Sequence, residues 1–124
     1  MEIPKLPNPQ VFYEKVWEVV RTVPVGFVAT YGQVAQMVDP PSGIDPADYK
    51  AFGPRWVGHA MAACPHDVPW QRIINSQGKT SNWPRAAEQR KRLESEGVIF
   101  SNDKINLKTY QWRGPDAPTQ ARLF

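Results

Sequence analysis

The side chains able to do covalent or metal chemistry are few in this 124-residue chain. Cys64 is its sole cysteine, and His59 and His66 are its two histidines. One thiol forms no internal disulfide, and with two imidazoles it does not make a structural zinc site. No metal and no cofactor is expected. A nucleophilic thiol needs its pKa lowered by a neighbouring base or a helix N-terminus. Cys64 falls where a short helix is expected to end, which has the opposite effect. It reads as a small buried apolar residue. Trp70 lies in a loop, residues 65–71, that contains Pro65 and Pro69. An indole has no nucleophilic atom comparable to a thiolate. It stacks, fills space and donates one N–H. The plain alternative is a core tryptophan. Arg55 is expected near a helix start, slightly against the helix dipole. Such placement hints at function, although a surface arginine would also fit. Tyr31, next to Thr30, is either a half-buried aromatic or a ligand contact, and Gly32 beside it permits close backbone approach.

These residues must be positioned by short elements. Asn8-Pro9 has the form of a helix start, with Asn as cap and Pro in the first turn. Val11, Phe12, Val16, Val19, Val20 and Val23 follow at helical spacing, and Pro24 and Gly26 end the run. Phe27-Val28-Ala29 should be extended. Thr30 and Gln33 have capping-box spacing, which predicts a short helix through Met37. Residues 39–53 carry Pro40, Pro41, Gly43, Pro46 and Gly53, so they read as a connector with at most one helical turn over residues 46–51. Gly53-Pro54 should open a second short helix with Val57, Ala60 and Met61 inward, ending before Pro65. Two short helices in tandem suit a helix-turn-helix, here with a long connector. Arg72-Ile73-Ile74 should be extended, and Asn75-Ser76-Gln77-Gly78 is a turn signal. Pro84 should begin a charged helix closed by Gly97. Residues 98–100 and 105–107 should pair as a wing around Asn102-Asp103. The fold class is therefore mainly α with a small β wing, a winged-helix or helix-turn-helix DNA-binding domain. It is expected to be one domain over residues 1–124, with flexible ends at about 1–8 and 114–124.

Composition narrows the classes further. No apolar run approaches the ~20 residues of a membrane span. MEIPKLPNPQ carries acid and proline where a signal peptide has basic and then apolar residues, so a cytoplasmic location is expected, nucleoid-associated if bacterial. Residues 1–70 hold five Lys/Arg against seven Asp/Glu, whereas residues 71–124 hold ten against five. A basic half often meets phosphate. Charge alone nevertheless favours an ordinary solvated surface.

Four blocks occur in order along the chain. They are VPVGFVATYGQVA from Val23, PRWVGHAM from Pro54, VPWQRIINSQG from Val68 and RLESEGV from Arg92. Together they resemble the DNA-binding domain of O6-alkylguanine-DNA alkyltransferases over residues 10–112. Active members of that family carry Pro-Cys-His-Arg at the third block, and the cysteine takes the alkyl group from a flipped guanine. Here the tetrapeptide is Pro69-Trp70-Gln71-Arg72. Tryptophan at the cysteine position resembles the alkyltransferase-like subfamily, which binds the lesion without reacting and hands it to nucleotide excision repair. Most of that subfamily reads Pro-Trp-His-Arg, so Gln71 departs from the pattern, as does the long connector.

The resemblance implies roles residue by residue. Arg55 would be the finger that fills the stack when a base leaves it. Tyr31 would press on the 3′ phosphate and help rotate the nucleotide. The alkylguanine pocket would comprise Val68, Pro69, Trp70, Met61, Ser81, Trp83 and Arg85, with Trp83 or Arg85 stacking on the altered base. Gln71, Arg72 and Glu96 would support it from behind. Glu96 matches the acid of the active family's proton relay, and with no thiol to activate it would organise Trp70, Gln71 or Arg72. No residue is catalytic in this reading. The implied partners are duplex DNA containing O6-alkylguanine and nucleotide excision repair proteins. The implied mode is minor-groove binding with an inserted side chain. Nothing suggests a dimer interface, so a monomer is expected. Two alternatives remain at this stage: an active alkyltransferase with another acceptor, or a winged-helix regulator that reads duplex sequence.

Overall fold

The computed structural model describes residues 5–80 and 83–115. Helix α1, Pro9–Arg21, buries Phe12, Val16, Trp17 and Val20 along one face. Proline takes its first turn, but Asn8 does not cap it as expected. Asn8 has φ 51°, and its side chain makes no capping hydrogen bond. A capping residue normally has an extended backbone, and the left-handed conformation of Asn8 departs from it. The expected flexible ends fall mostly outside the described residues.

Strand β1, Ala29–Thr30, leads directly into helix α2, Tyr31–Met37. The capping box is complete: the Gln33 amide donates to the Thr30 hydroxyl at 3.1 Å, and the Thr30 amide donates to Gln33 Oε1 at 3.4 Å. The Gln33 side chain also donates to the Trp112 carbonyl at 2.5 Å and accepts from Gln111 at 2.9 Å. One residue thus caps α2 and ties it to the end of the described chain.

Helix α3 corrects the expectation for residues 39–53. It runs unbroken over Pro46–Ala62, with Pro54 inside it, and the connector shrinks to residues 38–45. Asp45 caps the start by accepting from the Ala47 amide at 2.8 Å. An interior proline normally costs about 3 kcal/mol. Tertiary contacts offset it here. Tyr49 is buried, stacks edge-on against Phe12, and donates its hydroxyl to the Ala35 carbonyl at 2.6 Å. Gly53 is buried, and a β-carbon there would lie 3.3 Å from Ala35 Cβ. The turns before Pro54 are therefore held against α2, and the helix continues through the proline. Its inward face carries Trp56, Val57, Ala60 and Met61.

A 3-10 turn, Trp70–Arg72, leads into β2, Ile73–Ile74, which pairs in parallel with β1. Helix α4 spans Ala86–Ser95, two residues later than Pro84 suggests. Gly97, at φ 91°, closes it, and the Val98 amide returns to the Leu93 carbonyl at 3.0 Å. The wing exists but is short. Strands β3, Phe100–Ser101, and β4, Lys104–Ile105, pair antiparallel around Asn102 and Asp103, both at positive φ. Leu107 does not extend the wing. Asn106 caps a short helix, α5, Leu107–Tyr110, by accepting from the Lys108 amide at 3.0 Å.

The core has two parts. The larger one joins α1, α2 and α3 with Val68, Trp70 and Trp112. The smaller one gathers Val28, Ile74, Leu93, Val98, Ile105 and Tyr110 under α4 and the wing. The β1–β2 pair lies between them and contributes residues to both.

Candidate nucleic-acid interface

The α2–α3 unit positions the first pair of candidate residues. The capping box fixes Tyr31 as the first residue of α2, partly exposed. Because α3 is continuous, Arg55 lies in its middle and not in its first turn. Arg55 thus stands clear of the helix N-terminus and does not oppose the dipole there, contrary to the expectation from Gly53-Pro54. Arg55 is exposed, and among the described residues no carboxylate pairs with it. Its guanidinium is open to an anion or a ring. Tyr31 and Arg55 share an open, largely apolar cleft of about 500 Å³ with Pro54, Gly58, His59, Met61, Ala62 and Trp83. The cleft therefore gathers four residues singled out in the sequence: Tyr31, Arg55, Met61 and Trp83.

Other candidates lie behind that cleft. Trp70 is only 4% exposed and Val68 only 1%, so both belong to the core and not to the open wall. Pro69 is half-buried, and Ser81 lies outside the described residues. The loop around Trp70 is tightly wound, with the Trp70 amide donating to the Val68 carbonyl at 2.7 Å. Trp83 lines the cleft and meets Trp70 at its edge, with ring centroids 5.3 Å apart and planes at 85°. Arg85 covers the Trp70 face, its guanidinium carbon 3.8 Å from the ring centroid. Arg92 approaches the same ring at 5.1 Å.

The third group forms a network under the site. Glu96 accepts from Gln71 Nε2 at 2.8 Å and from Arg72 through two hydrogen bonds of 3.0 and 3.1 Å. Arg72 also donates to the Val23 carbonyl at 2.9 Å, which ties the end of α4 to the segment after α1. Gln71 Oε1 is buried with no partner among the described residues. An amide cannot titrate, so this position carries no proton relay. Cys64 is half-buried, and burial pushes its thiol pKa up, while nearby Arg85 opposes that only in part. The thiol therefore stays protonated at neutral pH and is a poor acceptor.

Gln89 was missed in the sequence. It is fully buried, donates to the Gln71 and Ile73 carbonyls at 3.1 and 2.7 Å, and accepts from Trp83 Nε1 at 3.1 Å. A glutamine in a charged helix carries no signal of such a role. Glu88 was missed too, although its spacing from Arg85 and Arg92 placed it on their face of the helix.

A helix-turn-helix with a wing, an exposed arginine and an aromatic cleft defines a DNA-binding protein. Residues 11–98 match the family described as 6-O-methylguanine DNA methyltransferase, DNA binding domain. The chain belongs to this family. It is 40% identical over 112 residues to alkyltransferase-like protein 1 of Schizosaccharomyces pombe, covering 82% of this chain and 94% of the relative. It is 37% identical over 106 residues to a DNA base-flipping protein of Vibrio parahaemolyticus, covering 82% and 96%. Among solved structures, the S. pombe protein in complex with damaged DNA containing O6-carboxymethylguanine matches with TM-score 0.67 and 37% identity, over 84% of this chain and 96% of that one. With Trp70 at the acceptor position and relatives of these names, the chain is an alkyltransferase-like, non-enzymatic member.

Proposed function

We propose that this protein recognises O6-alkylguanine in duplex DNA, turns the altered nucleotide out of the helix, and leaves the alkyl group in place for other proteins to remove. The observation that carries this reading is the combination at the two halves of the site. Trp70 and Gln71 supply neither a nucleophile nor a proton relay, while one cleft is lined by Tyr31 and by Arg55, which has no carboxylate partner among the described residues. Flipping a base leaves a gap in the stack and an orphaned partner base. A guanidinium can fill the first and hydrogen-bond the second. Tyr31, on the same cleft, would press on the backbone beside it. The contact would be in the minor groove, as the family resemblance implies, with the duplex bent by the inserted side chain.

The altered base would enter past Met61 and Trp83 toward Val68, Pro69 and Trp70, with Arg85 on the neighbouring wall. Gln71, Arg72 and Glu96 would hold that wall from behind. Nucleotide excision repair proteins are the proposed recipients of the marked lesion, the protein acts as a monomer, and its location is cytoplasmic. Binding titrations on paired duplexes, with and without one O6-methylguanine, test the central claim. Tighter binding to the altered duplex is expected, and equal affinity would sink the idea. Incubation with labelled alkyl-DNA followed by intact-mass measurement should leave the protein mass unchanged. A mass gain equal to the alkyl group would make it an alkyltransferase instead.

A further inference from the structure

By resemblance Trp70 stands where a flipped base would present its alkyl group, yet its ring is buried and does not line the cleft. Its cover is built from the protein's own side chains. Arg85 lies on the ring at 3.8 Å, Arg92 stands at 5.1 Å, and the Trp83 edge closes the side. Both arginines converge on one carboxylate. Glu88 pairs with Arg85 at 3.3 Å and with Arg92 at 2.7 Å. The hydrogen bond from Arg85 holds the Glu88 carboxyl below its ordinary range, with Arg92 adding to the effect. The three residues recur at three- and four-residue spacing, so they line one face of α4 from its N-cap, Arg85, to Arg92 in its last turn. The open cleft reaches Trp83 and stops there.

We infer that Glu88 is a positioning residue that holds Arg85 on Trp70 as a plug over the lesion pocket of the free protein, and that an entering alkylated base displaces Arg85 from that ring. This rests on the lesion-recognition reading above. A guanidinium on an indole is a favourable contact, so the plug is a real competitor for the space. Side chains of Arg85, Glu88 and Arg92 are all nearly half exposed, at 46%, 44% and 48%. Exposed ion pairs are weak, worth about five-fold in an equilibrium at most. The plug is therefore light enough for a bound base to move. The apparent affinity for a lesion is reduced by the fraction of protein that is plugged. Undamaged duplex that binds without flipping does not meet this barrier.

The test compares Glu88→Gln with Glu94→Gln. Each removes one negative charge from α4, but Glu94 pairs with Arg90, which lies over Phe100 and not over Trp70. The charge change should tighten binding to every duplex equally in both variants. Glu88→Gln alone should add a further gain, up to about five-fold, on the duplex containing O6-methylguanine. In the free protein, NMR signals of the Arg85 side chain should be shifted upfield by the indole ring. Glu88→Gln should move them toward exposed-arginine positions, and Glu94→Gln should leave them. Equal lesion preference in the two variants, a fall in preference in Glu88→Gln, or unmoved Arg85 signals would each overturn the plug. Absence of any lesion preference in the parent protein would overturn the recognition reading itself, a result distinct from these.

Discussion

At the scale of single residues, the loss of chemistry is doubled. Trp70 removes the thiol, and Gln71 removes the group that would take its proton. Restoring one without the other is expected to fail. Trp70→Cys should transfer no alkyl group from O6-methylguanine DNA, as judged by intact mass, because Gln71 cannot accept the thiol proton. Gln71 already lies 2.8 Å from Glu96, so a histidine there would have a carboxylate to orient it. Trp70→Cys with Gln71→His is the variant in which transfer should first be detectable. A single variant that reacts as fast as the double one would show that transfer needs no relay at position 71. Arg72 and Glu96 have a different role. Their side chains are each 13% exposed, and Arg72 also holds the Val23 carbonyl. Removing one partner of a mostly buried pair leaves the other uncompensated. Glu96→Ala should cost about 3 kcal/mol in urea unfolding. A loss below about 1 kcal/mol would mean that Arg72 finds water instead.

At the scale of elements, Tyr49 fixes how α2 meets α3. Its hydroxyl donates to the Ala35 carbonyl at 2.6 Å and lies 3.0 Å from the Val38 carbonyl, at the C-terminal end of α2. Tyr49→Phe keeps the ring packing and should cost about 1–2 kcal/mol through the unsatisfied carbonyls. Burial raises the Tyr49 phenol pKa to about 12. The folded value exceeds the unfolded one of about 10. The protonated phenol is thus favoured by folding, and this contribution is complete below pH 10 and disappears as pH rises toward 12. Alkaline unfolding of the parent and of Tyr49→Phe should therefore converge over that interval. Gly78, at φ 80°, is the joint between the turn after β2 and the wing, its carbonyl accepting from the Ile105 amide at 2.8 Å. A β-carbon there would collide with the Ile105 carbonyl oxygen. Gly78→Ala should destabilise by about 2 kcal/mol or more, measured by thermal unfolding. Local signals revealed much of this scale. The Thr30 capping box, the closure at Gly97 and the Asn102-Asp103 turn rest on neighbours in sequence, and they are where the residues placed them. The continuity of α3 was hidden, since Gly53-Pro54 is a breaker locally and Tyr49 overrides it from a distance. The β1–β2 pairing was hidden for the same reason, joining residues 44 apart in sequence. At the site, order along the chain singled out Tyr31 and Arg55, which the fold brings to one cleft, but gave no sign that Trp70 would be covered by Arg85.

At the scale of the whole molecule, the charge split overstates the free positive surface. Residues 71–124 carry ten Lys/Arg against five Asp/Glu. Yet Arg72, Arg85, Arg90 and Arg92 are already paired with Glu96, Glu88, Glu94 and Asp103. Phosphate contacts must therefore come largely from the remaining cations, and the salt dependence of binding should be modest for a basic protein. Arg55 separates two ways of using a cation. A guanidinium on a phosphate releases a counterion, so its loss lowers the slope of log K against log salt by about one. A guanidinium inside the base stack releases none, and its loss removes stacking and hydrogen bonding worth about 1–3 kcal/mol. The position of Arg55 on the Tyr31 cleft, with no carboxylate partner among the described residues, favours the second. Arg55→Ala should weaken binding to an O6-methylguanine duplex by about ten-fold or more while leaving the salt slope unchanged. A slope reduced by about one, with equal weakening on undamaged DNA, would make Arg55 a phosphate ligand and leave base extrusion to Tyr31.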